Sequence, residues 1–146
     1  MIVSSGYNLQ KTVCIEIGQN SVVQKWESKQ FSGVCSSAVH NDKLYCAYRR
    51  LYCLNVADGS LASSFGTFGE DGSCLVTGDG YLIIYGNRKL TIAESSAGPD
   101  GTHKVLATRN DICERSAAWP HVTFADRRIY CKDKRGTIQC FEMTAE

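Results

Sequence analysis

The chain has 146 residues, enough for one ordinary domain with its own core. Its 43% hydrophobic content is that of a globular protein, and a net charge of +1 with a pI near 7.5 gives no bulk pull towards nucleic acid or an anionic membrane. No apolar run approaches the roughly twenty residues of a membrane span, and "MIVSSGYNLQ" has neither the basic start nor the apolar core of a signal peptide.

The opening reads as a strand already under way, followed by "CIEI" (14–17) and "SVVQKW". A second group runs "SSAVH", "KLYC" ending at Cys46, "CLNV" (53–56) and "SLASSF". The third runs "SCLVTG", "YLII" ending at Ile84, "IAES" (92–95) and "HKVLAT". The fourth is "WPHVTFA", "RIYC" ending at Cys131 and "CFEM" (140–143). The phrase that starts at Cys14, Cys53, Ile92 and Cys140 recurs at offsets of 39, 39 and 48. Between the middle phrases stand hairpin turns: Arg49-Arg50, Asn87-Arg88-Lys89 and Arg135-Gly136. Asn-Asp, Gly-Asp-Gly and Asp-Arg-Arg turns close the runs before them.

Four antiparallel strands in roughly 40 residues is the period of a β-propeller blade. The expected fold is therefore all-β: a single partial β-propeller over residues 1–146, made of four-stranded antiparallel blades. The blades are expected at 1–28 (incomplete), 29–65, 66–108 and 109–146 (incomplete). The first lacks its opening strand and the last its closing one, so the chain is expected to belong to a larger propeller or to close by self-association. Apolar terminal faces, with Val13, Ile15 and Ile17 at one end and Ile129, Ile138 and Phe141 at the other, favour the same outcome.

Eight cysteines fall at spacings of 21, 11, 7, 21, 39, 18 and 9, with no C-x-x-C. His40, His103 and His121 flank none of them at ligand spacing, so no metal site is expected. Cysteine exchanges with isoleucine between repeats, as a small buried hydrophobe does. Symmetric counting from two-residue turns puts Cys46 opposite Cys53 and Cys131 opposite Cys140. Directly opposed residues sit slightly wider than a disulfide wants, so two close, mostly unbonded, buried thiol pairs are expected.

"VSSGYN", "TVCIEI", "VVQKWESKQF", "CSSAVHNDKLYCA", "LYCLNVADGSL", "SCLVTGDGYLIIYGNRKLTIAESS" and "AAWPHVTFADRRIYCKDKRGTIQCFEM", in that order, resemble the PQQ-like (pyrroloquinoline-quinone-repeat-like) β-propeller proteins. The resemblance covers essentially the whole chain and corresponds to the C-terminal three to four blades of a larger ring. It implies a propeller fold without implying bound quinone. The family's blade-docking motif is visible from Leu54 to Ser64, with Asp58 where Thr is usual and Ser64 where a tryptophan would dock. The adjacent Cys-Cys pair of true quinoprotein dehydrogenases is missing. The resemblance also carries a tendency towards the periplasm or cell envelope.

Two groups of side chains are candidates for ligand binding. Arg49, Arg50, Arg88, Lys89, Lys134 and Arg135 cluster in the middle turns at one end of the disc, with Asp42, Asp58, Asp79, Asp100 and Asp126 in the turns at the other. Such a polarity either steers an anionic partner or is ordinary solvated turn chemistry. Trp119 and His121 are placed at the start of an inner strand, where they contact a sugar or quinone ring or pack between blades. No Gly-rich phosphate loop and no G-x-S-x-G elbow occurs, and no residue is assigned to catalysis. The sequence thus favours a non-enzymatic scaffold that binds protein or carbohydrate without a cofactor. The alternative is the C-terminal part of a quinoprotein oxidoreductase using PQQ with calcium.

Overall fold

The computed structural model describes residues 1–70, 72–113 and 118–144. They form thirteen strands, and no helix occurs among them. The strands build four antiparallel sheets, each from one consecutive stretch of chain.

The first sheet is β1 (Ile2–Ser5), β2 (Lys11–Ile17) and β3 (Val22–Ser28), in that order. The second is β4 (Ala38–His40), β5 (Lys43–Asn55) and β6 (Leu61–Gly69). The third has four strands, β7 (Ser73–Val76), β8 (Tyr81–Gly86), β9 (Lys89–Ala97) and β10 (His103–Arg109), in chain order from one edge to the other. The fourth is β11 (Thr123–Ala125), β12 (Arg128–Lys132) and β13 (Ile138–Glu142).

The long β5 is itself a hairpin. The Val56 N–H donates to the Asp42 carbonyl at 3.0 Å, and the Lys43 ammonium reaches the Asn55 side-chain carbonyl. Residues twelve or more apart meet only if the strand folds back midway. Its apex is Arg49, at a φ of 57°. The second sheet therefore has the same four-part meander as the third.

Several of the tight turns that join the strands contain no glycine. Asn41-Asp42, Asn87-Arg88 and Asp126-Arg127 each place two successive residues at positive φ, the backbone that lets a two-residue turn follow the strands' twist. Asn and Asp tolerate that region better than other side chains, which accounts for this turn chemistry.

The core lies between sheets rather than around a centre. Tyr45, Leu51, Cys53 and Phe68 of the second sheet pack with Cys74, Leu82 and Ile84 of the third. On the other face of the third sheet, Ile83, Tyr85 and Leu90 pack with Val122, Ile129 and Cys131. Trp26 packs with Leu44, Cys46 and Leu54 between the first sheet and the second. Strands apolar on both faces are what stacked sheets require.

Two expectations about register are corrected. Counting inward from the Asp42–Val56 bond places Cys46 opposite Tyr52 and Cys53 opposite Tyr45. The two thiols accordingly belong to clusters on opposite faces of the sheet. In the fourth sheet Cys131 pairs with Gln139, and Cys140 with Tyr130. A one-residue change in the turn sends a side chain to the other face. All eight cysteines are free thiols, and Cys140 is exposed. Similarly, Ile129 is almost wholly buried against the third sheet and Phe141 packs beside it, whereas Ile138 does stand out, 61% exposed.

Candidate functional site

The middle turns gather at one end of the array beside the linkers between sheets. Gly86, at the end of β8, lies so close to the Phe68 carbonyl that a Cβ there would stand 2.2 Å from the oxygen. Five of the six cations of these turns are engaged within the molecule. Arg49 pairs with Glu70 and lies 5.4 Å from the centre of the Tyr48 ring. The Arg49 hydrogen bond and charge hold the Glu70 carboxyl below its ordinary range. Arg50 donates to the Ser64 carbonyl at 3.4 Å, and Arg88 pairs with Asp111 at 2.8 Å. Lys89 lies 4.8 Å over Phe68, and Lys134 lies 5.1 Å over Trp119. The Arg135 N–H donates to Asp133, which also accepts from the Thr137 N–H. The turn end is therefore a ring of local pairs rather than a uniform basic field.

At the other end the carboxylates cap their own turns. Asp58 accepts from the Ser60 N–H at 3.0 Å and hydroxyl at 2.6 Å, and Asp100 accepts likewise from Thr102. These hydrogen bonds lower both carboxyl pKa values. Asp79, with His40, Tyr81 and Glu94, lines a cleft of about 410 Å³. No group of three or more His, Cys, Asp or Glu side chains among the described residues is placed to hold a metal ion.

Trp119 and His121 lie in the linker ahead of β11 rather than within the strand. The Trp119 carbonyl accepts from the Cys35 thiol at 3.2 Å, and His121 Nε2 is 3.4 Å from the Ser36 carbonyl. The Val122 N–H donates to the Ser73 hydroxyl at 3.1 Å. The linker thus stitches the lead-ins of the second, third and fourth sheets together. The Trp119 ring remains 52% exposed, with Lys134 against it. The structure unites Trp119, His121 and Lys134 in this corner, while Arg49, Arg50, Arg88 and Lys89 belong to the turns of other sheets.

The seams between sheets carry chemistry that the sequence motifs do not display. Trp26 Nε1–H donates to the Val56 carbonyl at 2.8 Å. Its ring lies on Gly59, whose φ of 72° and lack of a side chain admit it. At the next seam the Tyr45 hydroxyl donates to the Ser95 carbonyl at 3.0 Å. There His103 Nδ1 is 3.0 Å from the Glu94 carbonyl, which can only accept, so Nδ1 carries the proton. Nε2 then accepts from the Ser63 hydroxyl at 2.7 Å, with Phe65 stacked 4.8 Å from the ring. The docking position is thus Ser63, opposite Cys53, and not Ser64, because an irregularity at Cys53/Leu54 moves the register. Ser63 and His103 are both buried and hold the two sheets together.

Open surface is found where sheets stop short. A recess of about 730 Å³ runs beside the free edge of β1, past Val34, Val39 and Val56. A groove of about 580 Å³ lies between β10 and β13, lined by Leu90, Ile92, Ile129, Phe141 and Met143.

Four consecutive meanders stacked face to face are the signature of propeller blades, and the solved structures include this arrangement. The chain is similar to BamB from Moraxella catarrhalis, with a TM-score of 0.68 at 14% identity over 92% of this chain. The fold is that of a partial β-propeller. The chain spans 44% of the length of the BamB chain, itself a PQQ-like β-propeller protein. No family model matches the chain, and no curated protein matches it by sequence.

Proposed function

We propose that the chain is a non-enzymatic, PQQ-like propeller module that holds another polypeptide on its open surfaces. The observation that carries this reading is the aliphatic flank of the first sheet. Ile17 and Val22, a cross-strand pair on one face, stand 59% and 66% exposed, and Val23, on the other face of β3, is 51% exposed. Clustered apolar side chains facing water mark contact with a macromolecule. The engaged turn cations agree with a scaffold whose polar groups are spent on its own rigidity. A carbohydrate on Trp119 is the lesser reading, since Lys134 already lies over that ring. The described residues gather no calcium-binding group beside it, and no quinone chemistry is assigned to them.

The test compares three ligand classes on the intact chain. An array of extended peptides, a glycan array, and PQQ with calcium chloride followed by absorption and melting temperature separate them. Binding of apolar peptides, weakened in a Val22→Ser/Val23→Ser variant, is the expected outcome. A quinone chromophore with a raised melting temperature would replace this reading with the oxidoreductase one.

A further inference from the structure

The outer edge of β13 has a hydrogen-bonding pattern fixed by its bonds on the inner side. Met143 N–H donates to the Arg127 carbonyl at 2.9 Å, and Asp133 N–H to the Thr137 carbonyl at 3.1 Å. With Ile129 opposite Phe141 and Cys131 opposite Gln139, the odd-numbered residues of β13 face β12. The backbone N–H and C=O of Cys140 and Glu142 therefore point outward, where the fourth sheet ends. In the third sheet the corresponding edge of β9 is taken by β10, with Ile92 opposite Ala107.

The surroundings of that edge are also uncovered. β3 buries Trp26 and Ser28, and β6 buries Ser63 and Phe68, whereas β10 buries only His103. Val105 and Leu106 on β10 are 49% and 42% exposed. Outer strands cover one another from sheet to sheet, and among the described residues the fourth sheet has no outer strand to meet β10. The 580 Å³ groove lies between them.

Charge indicates what fits there. Glu16 and Glu94 occupy the same place in their repeats as Glu142, two residues after Cys14, Ile92 and Cys140 respectively. Glu16 pairs with Lys25 on β3 at 3.0 Å, and Glu94 with Lys104 on β10 at 3.2 Å. Each time the lysine comes from the outer strand. Glu142 has no cationic partner among the described residues.

We propose that β13 accepts an extended segment of a partner polypeptide as an antiparallel outer strand. Its apolar residues alternate into the groove and a lysine meets Glu142. The inference rests on the protein-binding reading and adds to the flank of the first sheet a second place and a sequence type. Backbone pairing supplies affinity in such strand addition, and side-chain pockets supply selection.

The probe is a fluorescein-labelled peptide SVVQKWES, the sequence of residues 21–28, titrated into the intact chain by fluorescence anisotropy. Saturable binding is expected, with amide NMR shifts confined to β13 and β10. Cys140→Pro removes an N–H that bonds nothing within the sheet, a place where edge strands tolerate proline. It should weaken binding by about tenfold or more. Glu142→Lys, an exposed change that leaves the fold intact, should weaken binding about three- to fivefold. Replacing the peptide lysine by glutamate should restore it. Binding that ignores Glu142→Lys, or shifts that map to β1 instead, would overturn the inference. If the array binds peptides while SVVQKWES gains nothing at β13, the edge assignment fails and the protein-binding reading stands. A dimer dissolved by Cys140→Pro would replace the partner segment with a second copy of the chain.

Discussion

Cys131 and Cys140 are nine residues apart in one hairpin yet live in different solvents. Cys131 is wholly buried, and burial pushes its thiol up to about 12. Burial also raises Cys46, Cys53 and Cys74. Because the thiolate is the nucleophile, alkylation of the native protein near neutral pH should modify Cys140 first. These four thiols should react only on unfolding, which mass spectrometry after timed quenching will read. Equal native rates at Cys131 and Cys140 would contradict the register. Asp133 supplies a pH dependence. Burial alone would raise its carboxyl, but backbone N–H groups of Thr137, Arg135 and Gly136 outweigh it and hold the pKa below the ordinary 3.8. A depressed folded pKa stabilises above the unfolded value and loses that contribution as pH falls through the folded one. Melting temperature should therefore fall from about pH 4 downward, and Asp133→Asn should flatten that part of the curve. For cysteine, burial at Cys46 and Cys131 was legible from the exchange with Ile84, whereas Cys140, in the place of Ile92, is exposed. Pairing was not legible, because one residue at the Arg49 apex decides the face.

At the level of elements, the recurring phrases located the strands well. "KLYC" and "CLNV" became the arms of β5, and "SCLVTG" to "HKVLAT" became the third sheet. What joins the sheets was hidden, since it depends on irregularities and on partners distant in sequence. Ser63 meets His103 across 40 residues, and Arg49 meets Glu70 across 21. No spacing rule links such residues before the sheets are stacked. The Ser63–His103 bond gives a direct test of the second seam. Ser63→Ala leaves a buried imidazole nitrogen without its donor and should cost about 1–3 kcal/mol. His103→Leu should cost a similar amount, and the double variant clearly less than the sum. Additive losses in denaturant titrations would show that the two side chains do not act together. Trp26 closes the run "SVVQKW", and nothing in that run shows its seat on Gly59.

Across the whole molecule, each sheet is stabilised mainly by its neighbours, as in other repeat architectures. The first sheet has a neighbour on one side only, and so has the fourth. Four sheets matching 44% of a propeller chain leave room for as many again. Two copies head to tail would hold eight sheets, within the size at which propellers close. The 146-residue chain should therefore self-associate through these two sheet faces as its concentration rises, an association that Cys140→Pro leaves intact. Light scattering across a dilution series checks this, and a sharp monomer at micromolar concentration would contradict it. The architecture was legible from the 39-residue offset, whereas its open flanks emerged only from the stacking. The two incomplete sheets differ in kind: aligned by repeat, the first lacks an inner strand and the fourth an outer one. A strand added at either gap joins inside a blade, as a lap joint overlaps where a butt joint merely abuts. Force pulling such a joint apart would load a whole ladder of backbone hydrogen bonds at once, besides separating two apolar faces. Such a joint would then hold more firmly under load than two sheets that only abut.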